Sequence, residues 1–306
     1  MNRGMLLAAI ILAAAGARPV AAEGSCAEWT TQSFYDSATP EDVQSCINAG
    51  ANLAERDEEG RTPLHSAAAA AREPQIVAKL LRAGADPALT DSAGRRPIHA
   101  AAETGQEPGI LSYLAIWGAG IEEELPGGHR CGWLLIGARC ATVPLHLAAA
   151  RPDGAEFVAA LLAAGADPDL QDLDGRSALQ HAAANASDSV PISVLLQAGA
   201  TEDIADGDGI TPLHAAARRD DGAADIIAEL MAVGASADAG DENGTTPVMW
   251  AAARAPESMI VEMLIEAAND PCVEDDQERT ALDLWDRNDA LTRDDAYWEL
   301  HESCQG

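Results

Sequence analysis

Seven segments of this chain open alike: TPLHSAAA (62–69), RPIHAAAE (96–103), VPLHLAAA (143–150), SALQHAAA (177–184), TPLHAAAR (211–218), TPVMWAAA (246–253) and the degraded TALDLWDR (280–287). Their first residues stand 34, 47, 34, 34, 35 and 34 positions apart. A unit of this size cannot bury its own apolar face, so neighbouring units must stack into an elongated array with one shared core. The period therefore excludes a globular domain wound about one centre.

What surrounds each signature fills in the unit. The runs IVAKLLRAGADP, FVAALLAAGADP, ISVLLQAGA and IIAELMAVGA carry apolar residues at helical spacing and end at Gly84, Gly165, Gly199 and Gly234, where a residue without Cβ can take a left-handed helix stop. Before the signatures stand Asp57 with Gly60, Asp91 with Gly94, Asp172 with Gly175, Asp206 with Gly209 and Asp241 with Gly244, the chemistry of tight turns. The proline of Thr-Pro-Leu-His suits the first turn of a helix, where its missing N–H costs nothing. Each unit reads as finger, helix, turn, helix. In this signature, spacing and glycine stop the chain resembles the ankyrin-repeat family over nearly all of residues 23–306.

The resemblance implies an all-α solenoid of helix-turn-helix units with hairpin fingers, capped at both ends. Residues 23–61 lack the signature but close like a repeat at Gly50, and form the N-terminal cap; repeats occupy 62–279, and 280–306 the C-terminal cap. The 47-residue step places a large finger insertion at about 121–142, with the apolar tip Trp133-Leu134-Leu135-Ile136 between Cys131 and Cys140. Either this tip is a binding prong or it folds back to cover the core.

Residues 1–22 differ in kind: Arg3, an apolar run over 5–15, and small residues at 20–22 form a secretory signal peptide, too short for a membrane span. The expected destination is the periplasm, with secretion as the alternative. All six cysteines follow this leader, and an even number in an exported chain reads as disulfides. Sequence alone leaves every pairing open. Contacts in a stacked array reach only the neighbouring repeat, which favours Cys26 with Cys46, Cys131 with Cys140 and Cys272 with Cys304.

Acidic residues number 50 against 19 basic, a net charge of −31. Nucleic acid is a poor partner for such a field, because phosphate binding needs a basic footprint. No long apolar stretch follows the leader, so no membrane insertion is expected.

Candidate chemistry is sparse. His65, His99, His146 and His214 occur once per repeat, too far apart to converge on one ion, and the resemblance makes them structural hydrogen-bonding residues. Gln180, Met249 and Asp283 replace them elsewhere and are expected to loosen that ladder. The acidic stretches 167–175 and 205–209 lack the ligand spacing of a calcium loop, and no nucleophile with a recognisable base is present. No catalytic residue, metal or cofactor is assigned.

In the ankyrin family, partners are gripped by finger tips and first-helix ends. Counting from each signature places Arg61, Arg95, Arg139, Arg176 and Arg279 on fingers, and Arg151, Arg218, Arg219, Arg254 and Arg287 at first-helix ends. With Trp133 and Leu134 these are the expected partner-binding residues, unless local carboxylates neutralise the arginines. The expected function is a monomeric, non-enzymatic scaffold for a protein partner. The rivals are a calcium or metal module on the acidic fingers, and an enzyme whose site lies at the insertion near His129.

Overall fold

The computed structural model describes residues 25–122, 143–219 and 224–304. A single 3-10 turn (Ser25–Glu28) leads into α1 (Gln32–Tyr35) and α2 (Pro40–Asn48). Helix pairs follow: α3 (Pro63–Ala70) with α4 (Pro74–Arg82), α5 (Pro97–Thr104) with α6 (Gly109–Ile116), α7 (Pro144–Ala149) with α8 (Ala155–Ala163), and α9 (Ala178–Asn185) with α10 (Val190–Gln197). The series ends with α11 (Pro212–Ala217) and α12 (Ala224–Ala232), α13 (Pro247–Arg254) and α14 (Ser258–Ala267), then α15 (Ala281–Trp285) and α16 (Asp295–Ser303). Among the described residues the only β pairing is an isolated bridge between Gln171 and Ser177.

Each signature is the start of a first helix. The Thr211 and Thr246 hydroxyls accept from the backbone N–H three residues on, and the proline after each stands where a helix needs no donor. First helices are short and alanine-rich because they are enclosed: every residue of α3 is buried, and small side chains let α3 lie against α5, and α9 against α11, at close range. Second helices bury one stripe, as in Ile76, Val77, Leu80 and Leu81 of α4. They end alike. Gly84 has φ +102°, its N–H bonds to the Leu81 carbonyl, and the Ala85 N–H reaches back to Leu80, the double bond that satisfies the last carbonyls of a helix.

A single apolar cluster runs from Trp29 to Leu300. Its ends are closed by larger side chains than its middle, with Trp29 and Tyr35 at one end and Trp285, Tyr297 and Leu300 at the other. The terminal units also carry cross-links. Cys26 and Cys46 lie at bonding distance (S–S 2.00 Å), as do Cys272 and Cys304 (2.07 Å), each tying the outermost helix or turn to its neighbour. Loops of this size are worth about 3 kcal/mol each in the chain-entropy account, and they act where a repeat has a neighbour on one side only. The Cys131–Cys140 pairing lies outside the described residues. No helix among them is long and apolar enough to cross a membrane.

The N-terminal end contains one costly group. The Tyr35 hydroxyl is buried without a hydrogen-bond partner among the described residues, and burial pushes its pKa far up. Tyr35→Phe removes the orphaned donor and keeps the ring that packs edge-on against Phe34. Unfolding in urea should show the variant more stable by about 1 kcal/mol.

Candidate binding face of fingers and first helices

The finger is built by its aspartate. In Asp57, Asp91, Asp172, Asp206, Asp241 and Asp275, Oδ1 accepts from the backbone N–H groups two and four residues on, at 2.8–3.1 Å. These bonds close the turn whose third following residue must take positive φ. Neighbouring fingers are joined through backbone: the N–H groups of Ser92, Gly207, Glu242 and Asp276 donate to the carbonyls of Glu59, Asp174, Asp208 and Asn243, each at 2.9 Å. At Gly175 and Gly209 the next finger leaves no room for a Cβ. One added at Gly209 would lie 2.8 Å from the Glu242 nitrogen.

The last finger breaks this rule at Glu278, which holds φ +57°. No further finger stacks on it, so a side chain fits and only the backbone strain remains. Glu278→Gly is expected to raise stability by about 1 kcal/mol, read as a higher urea midpoint with unchanged slope.

The signature histidines tie each first helix to the next finger. His65 Nδ1 accepts from the Thr62 N–H (3.1 Å) and Nε2–H donates to the Arg95 carbonyl (2.9 Å). His146 spans Val143 and Leu170, and His214 spans Thr211 and Thr245, in the same way. Both bonds need a neutral ring. Burial lowers the pKa of His65 and His214, and lowers that of His146 to about 4. Gln180 does not loosen the ladder as expected: its amide oxygen accepts from the Ser177 N–H (2.7 Å) and its NH2 donates to the Ile210 carbonyl. Met249 can do neither.

A family model described as ankyrin repeats, in three copies, matches residues 35–124 and 145–239. The chain belongs to the ankyrin-repeat family. Among solved structures it is similar to the crystal structure of the ankyrin repeat domain of Bcl-3, described as a unique member of the IkappaB protein family. The two are 28% identical with a TM-score of 0.55, over 79% of this chain and 97% of that one. Among curated proteins none matches.

On this ankyrin face the finger arginines are held by their own carboxylates. Arg61 Nε bonds Asp57 Oδ2 at 2.7 Å and Arg61 Nη2 bonds Glu59 (3.1 Å); Arg95 pairs with Asp91 and Glu103, and Arg279 with Asp275. Arg176 turns instead to Asp206 (3.5 Å) and Asp174 (3.6 Å). Arg151 is packed down, its guanidinium 3.9 Å from the Phe157 ring centre, bonded to the Gly105 carbonyl and forked onto Asp153, whose carboxyl it holds below the usual range. Arg219 donates to the Ala183 carbonyl (3.4 Å). These side chains serve the solenoid itself, so they do not form a row of open cations. Arg139, Trp133, Leu134 and His129 lie outside the described residues.

Arg218 and Arg254 are different. Both are exposed at first-helix ends, and their guanidinium carbons lie 5.8 and 5.7 Å from the centre of the half-buried Trp250 ring. Arg287, also exposed, ends the equivalent stretch of the last unit.

Sequence reasoning missed the fifth place of the signature. There the side chain meets the finger aspartate: Trp250 Nε1–H donates to Asp241 Oδ2 (3.2 Å), and His181 Nε2 bonds Asp172 Oδ2 (2.9 Å), both partners buried. Burial alone would raise the Asp172 pKa, yet the hydrogen bond and charge of His181 bring it below the ordinary carboxylate value. The signal was the presence of polar-tipped rings where other units carry Ser, Ala or Leu. The acidic fingers, considered for calcium, have their Oδ1 atoms committed to backbone donors. Among the described residues no three His, Cys, Asp or Glu side chains are grouped to hold a metal.

Proposed function

We propose that this ankyrin array is a non-enzymatic scaffold that holds a protein partner on its fingers and first-helix ends. Ankyrin repeats mediate protein–protein interaction, and the family is one of scaffolds. The observation that carries the reading here is the lattice behind the face, in which finger-to-finger backbone bonds and the histidine ladder fix each repeat to the next. Side chains on such a frame lose little freedom when a partner arrives.

The scaffold acts as a monomer in the periplasm. The leader over 1–22 and the bonding distances of Cys26–Cys46 and Cys272–Cys304 support an oxidising compartment. Intact-mass analysis of the exported protein should give a chain that starts at Glu23 and carries no free thiol, and light scattering should give one chain per particle.

The binding face is tested by site-specific photo-crosslinking, since the single lysine, Lys79, sits on second helix α4 and places no side-chain amine on the fingers. A benzophenone side chain at Glu242, exposed on a finger, should capture the partner from periplasmic extract. The same group at Glu262, exposed on second helix α14, should not. Capture from Glu262 alone would place the partner on the other face.

A further inference from the structure

The ladder is interrupted at Met249, and a cleft opens there. His65, His146, Gln180 and His214 each reach a carbonyl of the following finger. Met249 holds the same place in α13 without a donor or acceptor of that kind, and a cleft of about 350 Å³ lies between the finger of Asp241 and that of Asp275. Met249, Trp250, Arg254, Thr245, Gln277 and Leu284 line it.

Arg254 lines this cleft together with Asp241 and Arg279, and Arg218 lies beside it against the Trp250 ring. Position 245 is Thr where the fingers of Asp57, Asp91 and Asp275 place an Arg on their own aspartate, and Asp241 Oδ2 takes the Trp250 indole N–H and fixes the ring. Arg218, from the preceding repeat, and Arg254, one turn on in α13, both lie within cation–π range of that ring. Arg61, Arg95, Arg176 and Arg279 all have carboxylate partners, whereas Arg218 and Arg254 have none among the described residues. Two guanidinium groups held against one aromatic ring repel each other, and an added carboxylate relieves the repulsion. The Met249, Trp250 and Leu284 side chains below offer an apolar seat.

We infer that this cleft binds a short acidic-apolar peptide segment of the partner, one Asp or Glu carboxylate on Arg218 and Arg254 and a neighbouring apolar side chain in the cleft. The inference rests on the scaffold reading and narrows it. The overall charge of −31 disfavours a long polyanion, so the carboxylate must come from a segment small enough to meet this local site alone.

The test is a selection of displayed random short peptides on the full chain. Enriched sequences should place Asp or Glu beside Leu, Phe or Met, and the best of them should shift the Trp250 indole N–H resonance, assigned with Trp250→Phe. In calorimetry its affinity should fall about tenfold or more in Arg218→Gln/Arg254→Gln, with the melting temperature unchanged because both side chains are exposed. Equal binding to the double variant overturns the inference, as does enrichment of basic or uncharged peptides, or an indole shift produced by inorganic phosphate and not by acidic peptides. A selection with no binder also overturns it. The wider scaffold reading is judged separately, by the capture from Glu242.

Discussion

Gly209→Ala should lower stability by about 3 kcal/mol, whereas Gly234→Ala, at a glycine of still larger φ, should cost about 1 kcal/mol. Both residues have left-handed backbone, φ +79° and +101°, and for both a side chain carries the same local penalty. What differs is the neighbour. At Gly234 nothing lies within 4 Å of an added Cβ, since the helix stop faces open space. At Gly209 the Cβ would lie 2.8 Å from the Glu242 nitrogen and 3.0 Å from the Asp241 Cα and carbonyl carbon, all backbone of the next finger. Backbone cannot rotate away as a side-chain end can. The finger must move, at the expense of the Glu242 N–H to Asp208 bond, and a hydrogen bond of that kind is worth about 1 kcal/mol. Paired urea titrations of the two variants check this, and equal shifts would show that the fingers do not constrain one another.

The contrast also explains what was legible in the sequence. Helices, glycine stops and fingers recur, so a feature too weak to trust once becomes firm when Gly84, Gly165, Gly199 and Gly234 all stand in phase. That period carried the fold. The binding face was less legible because it depends on which of several possible partners a charge selects. Counting placed Arg61 and Arg95 near the fingers correctly, but the same finger aspartates that shape the turn, Asp57 and Asp91, also hold those guanidinium groups. Local carboxylates do neutralise these arginines: Arg61 pairs with Glu59 and Arg176 with Asp174, and each also reaches a turn-forming aspartate, Asp57 and Asp206. Trp250 was legible only as a polar-tipped ring out of place at the fifth position, not as a partner of Asp241. Its place in the signature is filled elsewhere by Ser66, Ala100, Leu147, His181, Ala215 and Leu284, a series with no common chemistry. Only the packing shows that this position looks at Asp241 and toward Arg218. Gln180 was misread for a related reason: resemblance to His by letter was low, but the amide offers the same acceptor and donor at nearly the same reach.

That equivalence supplies the second large effect. His146→Gln should leave stability near neutral pH within about 1 kcal/mol of the parent and make the protein more stable than the parent below about pH 5. In the parent, burial first and then the nearby His181 ring, 5.3 Å away, hold the His146 pKa at about 4, against an ordinary 6.5; the bond to Leu170 and the charge of Asp172 only partly oppose them. Above pH 6.5 the ring is neutral in both folded and unfolded chains, and its titration has no effect on stability. Between 6.5 and 4 the unfolded chain takes up the proton and the folded chain does not, so stability falls as pH falls. A displacement of this size corresponds to about 3 kcal/mol over that window. The depressed Asp172 and Asp275 carboxylates lose their contribution only further down, and relief of the acidic self-repulsion affects both proteins alike. His65 and His214 keep their own slope in the variant. Glutamine at 146 retains an acceptor for the Val143 N–H and a donor for the Leu170 carbonyl, as Gln180 does for Ser177 and Ile210, but has no proton to gain. Urea midpoints of the two proteins from pH 7 to pH 4 should therefore cross, and parallel curves would show that the His146 proton plays no part in acid unfolding.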